Sequence, residues 1–186
     1  MPFKFNSTEI KDVVVVEPRS FPDGRGFFFE NYKKSDFIKN GIEYEFVQDN
    51  SSFSDSNIIR GLHFQAPPYE QGKLVRVITG EILDVAVDIR VGSPTYGKWV
   101  SLILSADNRK MLWVPPGFAH GFLTLKESFV HYKVTREYNK DSEGGLIWND
   151  PDLGINWPDK EPQLSEKDVA WPTLKNLKSP FKYEVK

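Results

Sequence analysis

The chain has 186 residues, enough for one domain with a substantial core, and its 39% apolar and 27% charged content is that of a globular protein. Its 24 Lys and Arg against 26 Asp and Glu give a formal net charge of −2, so no global basic field points to nucleic acid. It contains no cysteine, which excludes disulfides, thiolate nucleophiles, zinc–thiolate sites and iron–sulfur clusters and fits a reducing compartment.

In chain order, Met1 to Lys11 is mixed polar and lacks the apolar core of a signal segment. No stretch approaches the roughly eighteen apolar residues of a membrane span. The expectation is a cytoplasmic protein with no membrane partner. Val13 to Val16 forms a β-branched run that stops at Pro18. Gly26 to Tyr32 is aromatic-rich and is predicted as a strand. Lys34 to Asn40 is predicted as a short helix, with Ser35 as cap and Gly41 as stop. Tyr44 to Val47 is strand-like and ends in the polar run Gln48-Asp49-Asn50. Leu74 to Ile78 and Ile82 to Ile89 are predicted strands around the Gly80 turn. Trp99 to Leu104 and Met111 to Val114 flank the polar turn Ala106-Asp107-Asn108. Gly121 to Leu125 and Phe129 to Val134 add two more. The segment Ser165 to Asp168 reads as a capped turn, and the tail from Pro151 onward, rich in Pro and Trp, as an irregular wrap. Strands at this spacing, punctuated by Gly and Pro, indicate an all-β sandwich or barrel.

The three histidines stand at 63, 120 and 131. His63 lies in Arg60-Gly61-Leu62-His63-Phe64-Gln65, shortly before Gly72-Lys73. Histidine moves protons near neutral pH, an adjacent guanidinium suits an anionic substrate, and a lysine could stabilise negative charge formed by the reaction. His120 follows the rigid Pro115-Pro116-Gly117 corner, and it reads equally well as a half-buried histidine satisfied by backbone. There is no His-x-His pair, and His131 points to the face opposite Tyr132, so a metal site is not expected. Tyr132 and Tyr138 share a strand parity; tyrosine can act as a general acid, although two barrel aromatics are the commoner meaning of such a pair. Arg25 sits between two glycines, where backbone can approach a ligand. Arg60 and His63 are three apart, so an ideal strand puts them on opposite faces. They share a pocket only if Gly61 starts a bend or bulge; otherwise Arg60 serves a subunit boundary.

Asp23-x-Arg25-Gly26-Phe27, Gln48-Asp49-Asn50, Arg60-Gly61-Leu62-His63-Phe64-Gln65, Gly72-Lys73-Leu74-Val75-Arg76, Pro115-x-Gly117-Phe118-Ala119-His120-Gly121-Phe122, Trp148-Asn149-Asp150-Pro151 and Ser165-x-Lys167-Asp168 occur in this order. Singly they are weak; together, across nearly the whole chain, the set resembles the dTDP-4-dehydrorhamnose 3,5-epimerase family. The resemblance implies a single cupin-type (jelly-roll) β-barrel domain over residues 1–186, with short helices and an irregular C-terminal extension. It implies a homodimer, a dTDP-sugar substrate and no cofactor. It further implies His63 as base, Asp168 as its orienting partner, Tyr132 as the acid on the opposite face and Lys73 as the cation for the enolate. Arg25, Glu30, Gln48, Asp49, Asn50, Arg60, His120, Glu143 and Lys167 would contact the nucleotide sugar, with Phe28 and Tyr138 as packing or stacking aromatics. Rival readings are an epimerase acting at one carbon of a related keto-deoxy sugar, a non-catalytic cupin-like sugar-binding module, and a metal cupin enzyme.

Overall fold

The computed structural model describes residues 2–159 and 161–184. Its strands in chain order are β1 (Phe3–Ser7), β2 (Val14–Pro18), β3 (Phe21–Asp23), β4 (Gly26–Phe28), β5 (Gln48–Ser54), β6 (Ile59–Gln65) and β7 (Lys73–Thr79). Then follow β8 (Glu81–Asp88), β9 (Trp99–Ser105), β10 (Met111–Val114), β11 (Phe118–Thr124), β12 (Ser128–Val134) and β13 (Glu143–Gly145). One helix, α1 (Lys34–Lys39), lies between β4 and β5.

The strands form a six-stranded sheet in the order β1-β2-β10-β7-β12-β5 and a five-stranded sheet in the order β13-β6-β11-β8-β9. All ladders within them are antiparallel. This is the cupin-type sandwich expected. The strands around Gly80 belong to different sheets, as do β9 and β10, so these turns carry the chain across the sandwich. Gly80 has φ +83, and a Cβ there would collide with the Glu127 carbonyl, so a side chain would block this crossing.

Period-two alternation divides each strand between two environments. From β7, Val75 and Val77 enter the space between the sheets, while Leu74 packs outside with Met111 and Trp113. From β8, Ile82 and Ala86 point inward, and Leu83, Val85 and Val87 point outward beneath the C-terminal tail. Because β8 is buried on both faces, its sequence reads as a nearly continuous apolar run. Each such aliphatic side chain, fully buried, contributes about 1.5–3 kcal/mol.

The tail is irregular, as expected, and is tied down by specific bonds. Trp157 Nε1 donates to the Trp148 carbonyl and Trp99 Nε1 to the Leu153 carbonyl, each at 2.8 Å. Ile59 N donates to the Gln163 carbonyl at 3.0 Å and Gln163 N to the Asn57 carbonyl at 2.9 Å. The tail thus runs beside the start of β6, which brings residues 165–168 to His63.

Several local expectations need correction. The strand expected over Gly26 to Tyr32 ends at Phe28, because the Gly24-Arg25 turn pairs it with Phe21–Asp23 as a two-stranded hairpin. Ser35 does not cap α1: the N-cap is Lys33, with no side-chain cap bond. Gly41, at φ +83, does follow the helix end. Tyr44 to Val47 is not a strand; Gln48-Asp49-Asn50, read as its end, opens β5 instead.

Candidate active site

The site is organised by an irregularity in β6. Against β11, His63 stands opposite His120 and Arg60 opposite Phe122. Three steps along β6 match two along β11, which defines a bulge with one extra residue. Gly61, at φ +140, absorbs it. A Cβ on Gly61 would lie 2.5 Å from Gly121 Cα and 3.0 Å from the His120 carbonyl oxygen. Gly121 is equally constrained, since its Cβ would lie 2.6 Å from the Arg60 carbonyl oxygen. The consequence is functional: Ile59 and Leu62 both pack under the tail, and Arg60 and His63 both line one cavity. The bulge at Gly61 reconciles the two side chains.

That cavity, about 460 Å³, opens between the sheets. His63 and His120 enter from the five-stranded sheet, and Lys73 and Tyr132 from the six-stranded sheet. Arg60, Tyr138, Glu143, Lys167 and Asp168 complete the predicted set around it. Gln48 and Asn50 line an adjoining recess that shares His63, Lys73 and Tyr132.

His63 Nε2 meets Asp168 Oδ1 at 2.5 Å. The carboxylate is presented by the turn after Ser165, whose hydroxyl accepts from Asp168 N at 3.2 Å. Burial pushes the Asp168 carboxyl up, but its hydrogen bond to His63 and the histidine's charge outweigh this and hold it below the ordinary value. Burial of Lys73 pulls its ammonium down to about 8 from 10.5, against the pull of Asp84 and Glu143 and with the help of Lys167. Burial raises the Tyr132 phenol above its ordinary 10, partly offset by Arg60. Burial lowers His120, against the pull of Asp84.

At the cavity mouth, Lys167 Nζ donates to Glu143 at 2.6 Å and Tyr138 Oη donates to it at 3.3 Å. Arg60 donates to Ser54 Oγ at 2.8 Å and to the Phe53 carbonyl at 3.1 Å. These bonds fix its guanidinium against β5.

Not every expected contact converges. Arg25, Phe28 and Glu30 lie outside the cavity of their own chain. Arg25 is in the exposed β3–β4 turn, paired with Asp23 at 2.8 Å, and Phe28 and Glu30 line a shallow outer recess. Asp49 also faces away: it binds Lys133 at 2.7 Å on the outer surface, near His131. Since β5 is a strand, Gln48 and Asn50 share one face and Asp49 takes the other.

The sequence reading missed Asp84, which binds His120 Nε2 through Oδ1 at 2.8 Å and is fully buried. The signal was present, because Asp84 shares the parity of Ile82 and Ala86 on β8. Ser52 and Phe122 also line the cavity, and Trp171 packs edge-on to His63 at 6.2 Å between ring centroids. Among the described residues, no group of three or more His, Asp or Glu side chains is placed to hold a metal ion. No helix among them is long and apolar enough to cross a membrane.

Residues 7–176 match the sequence family described as dTDP-4-dehydrorhamnose 3,5-epimerase. The chain belongs to this family. It is 51% identical over 182 residues to the dTDP-4-dehydrorhamnose 3,5-epimerase of Sinorhizobium fredii, covering 96% of this chain and 93% of that one. The crystal structure of a dTDP-6-deoxy-D-glucose-3,5-epimerase from Legionella pneumophila, in complex with dTDP-4-keto-L-rhamnose, superimposes with a TM-score of 0.95 at 42% identity. That match covers 98% of this chain and 100% of the other. A 3'-monoepimerase from Streptomyces bikiniensis, in complex with dTDP-quinovose, is also similar, with a TM-score of 0.86 at 32% identity. It covers 91% of this chain and 87% of its own. The solved structures similar to this chain thus include both a 3,5-epimerase and a 3'-monoepimerase.

Proposed function

We propose that this protein epimerises dTDP-4-dehydro-6-deoxy-D-glucose at C3 and C5, giving dTDP-4-dehydro-L-rhamnose, the isomerase step of dTDP-L-rhamnose synthesis. The observation that carries this reading is that His63 and Tyr132 line one cavity from opposite sheets. Epimerisation needs that arrangement: a proton leaves one face of the sugar ring and another arrives on the opposite face.

C3 and C5 both flank the C4 ketone, which acidifies their protons. Asp168 holds His63 Nε2, leaving Nδ1 to take the proton, and the carboxylate stabilises the imidazolium formed. The electron pair of the broken C–H bond moves into the ring as an enolate. Lys73, as an ammonium ion, stabilises the developing oxyanion on O4. Tyr132 delivers a proton to the other face, the enolate collapses to the ketone, and solvent then returns a proton to the phenol and takes the one held by His63. No electron leaves the substrate, so the reaction needs no redox cofactor. Arg60, Lys167, Gln48 and Asn50 are assigned to the nucleotide sugar, with the guanidinium suited to its pyrophosphate.

The whole chain acts, in this reading, as one catalytic unit in a homodimer in the cytoplasm, the setting that fits a chain without cysteine. Arg25, Phe28 and Glu30 complete the site of a second copy. The exposed Phe21, Phe27 and Phe28 of the β3–β4 hairpin, at 43%, 55% and 66% of their surface, support this, since an apolar surface of that kind is suited to a partner. The deciding experiment is to follow the dTDP-4-keto-6-deoxyglucose reaction by NMR. Inversion at both carbons is expected; inversion at C3 alone would make the protein a monoepimerase.

A further inference from the structure

We infer that Asp84 is the fixed counter-charge that keeps Lys73 an ammonium ion in the cavity wall, and that His120 positions Asp84 for this task. Asp84 is a positioning residue in this scheme. Lys73 and His120 line the cavity and Asp84 does not, so the carboxylate lies behind them rather than against substrate.

Three observations converge. First, Asp84 is fully buried, with Oδ1 bound to His120 and Oδ2 without a hydrogen-bond partner among the described residues. A buried carboxylate oxygen left bare is costly unless a nearby positive charge offsets it. Second, Lys73 is a half-buried ammonium whose one hydrogen bond among the described residues, to the His63 carbonyl, is long at 3.4 Å. Its charge therefore depends on carboxylates acting through a poorly screened interior. Third, the parity of the strands aims both groups at the same interior space, Lys73 from β7 and Asp84 from β8.

The state of His120 decides whether Asp84 can serve Lys73. Burial disfavours the imidazolium, and the charges of Lys73 and His63 disfavour it further. A neutral His120 donating Nε2–H to Oδ1 orients the carboxylate without cancelling its charge. A cationic one would neutralise Asp84 and repel Lys73. The other groups facing Lys73 are Glu143 on β13, which favours its charge, and Lys167 in the tail, which opposes it. His63, Tyr132 and Arg60 share the cavity with it. Glu143 is engaged at the mouth by Lys167 and Tyr138. That leaves Asp84 as the carboxylate with an uncommitted oxygen.

The test is an NMR titration of Lys73 in full-length protein carrying 13C-labelled lysine, read without substrate. Asp84→Asn is expected to move the Lys73 midpoint down by about one pH unit or more, and to carry the alkaline limb of kcat down with it. An unchanged midpoint in folded Asp84→Asn protein overturns the inference. A second arm does not depend on that variant folding: Asp84→Glu keeps the carboxylate charge, so the Lys73 midpoint should stay near the wild-type value, and a fall as large as a lost charge would give overturns the inference equally. The consequence for rate rests on the epimerase reading. The titrations do not, so failure of one is distinguishable from failure of the other.

Discussion

His63, from the five-stranded sheet, and Tyr132, from the six-stranded sheet, face a common cavity from its two walls. Removing the phenol should therefore uncouple proton removal from inversion. In Tyr132→Phe, His63 still takes the proton and returns one to the same face. Deuterium from solvent should continue to enter the substrate while formation of inverted product falls by about 10²- to 10⁴-fold. Equal loss of exchange and inversion would show that Tyr132 is not a separate acid.

The Asp168 carboxylate should be felt in both rate and acid stability. Asp168→Asn leaves His63 without its anionic partner, and kcat should fall by about 10²-fold or more. The stability argument has a definite sign. The folded carboxyl lies below its ordinary value of 3.8, so its contribution is present above that pH and is lost as pH falls through the depressed value. Urea unfolding followed below pH 5 should show a shallower acid loss in the Asn variant than in wild type.

Lys73 gives the alkaline side of the pH profile. Its pull down to about 8 places loss of the enolate cation there, so kcat/KM should decline with a midpoint near that pH. Tyr132 cannot supply this limb, because burial raises its phenol above 10. Lys73→Arg should lower activity and move the limb upward out of the measured range, since a guanidinium stays charged. A limb near 8 that survives in Lys73→Arg contradicts the assignment.

The bulge at Gly61 is a stability element as well as a positioning device. Gly61→Ala adds a Cβ at φ +140 and 2.5 Å from Gly121 Cα. It should cost roughly 1–3 kcal/mol in urea unfolding and should also depress kcat/KM, because Arg60 or His63 must leave the cavity if the bulge relaxes. A variant as stable and as active as wild type would show that β6 tolerates a regular register.

Much of this was legible in sequence, and the failures have physical causes. The alternation in Leu74 to Ile78 and Ile82 to Ile89 gives strands and their faces because one side chain in two meets the core. The same rule applied to Gln48-Asp49-Asn50 would have removed Asp49 from the site, and applied to β8 would have added Asp84. Motif membership overrode it in the first case, and the lack of a motif hid it in the second. Ser35 failed as a cap because a cap is set by backbone geometry at Lys33, which composition does not reveal. The pairing of His63 with Asp168 spans 105 positions and depends on the tail lying beside β6. No local pattern carries that; only the family resemblance supplied it.

The hairpin residues make a prediction about assembly. If Arg25 serves a second copy, Arg25→Ala and His63→Ala proteins should each be weak alone and should complement when refolded together. Random pairing makes half the dimers mixed, each with one intact site, so about a quarter of wild-type activity should return. No recovery would confine Arg25 to its own chain.

The most direct test of the central claim is solvent deuterium exchange into dTDP-4-keto-6-deoxyglucose, followed by NMR for wild type and His63→Ala. The wild type should place deuterium at C3 and C5, and the variant, still folded, should lose exchange at both. Undiminished exchange in His63→Ala would contradict the account, because the proton would then have another base.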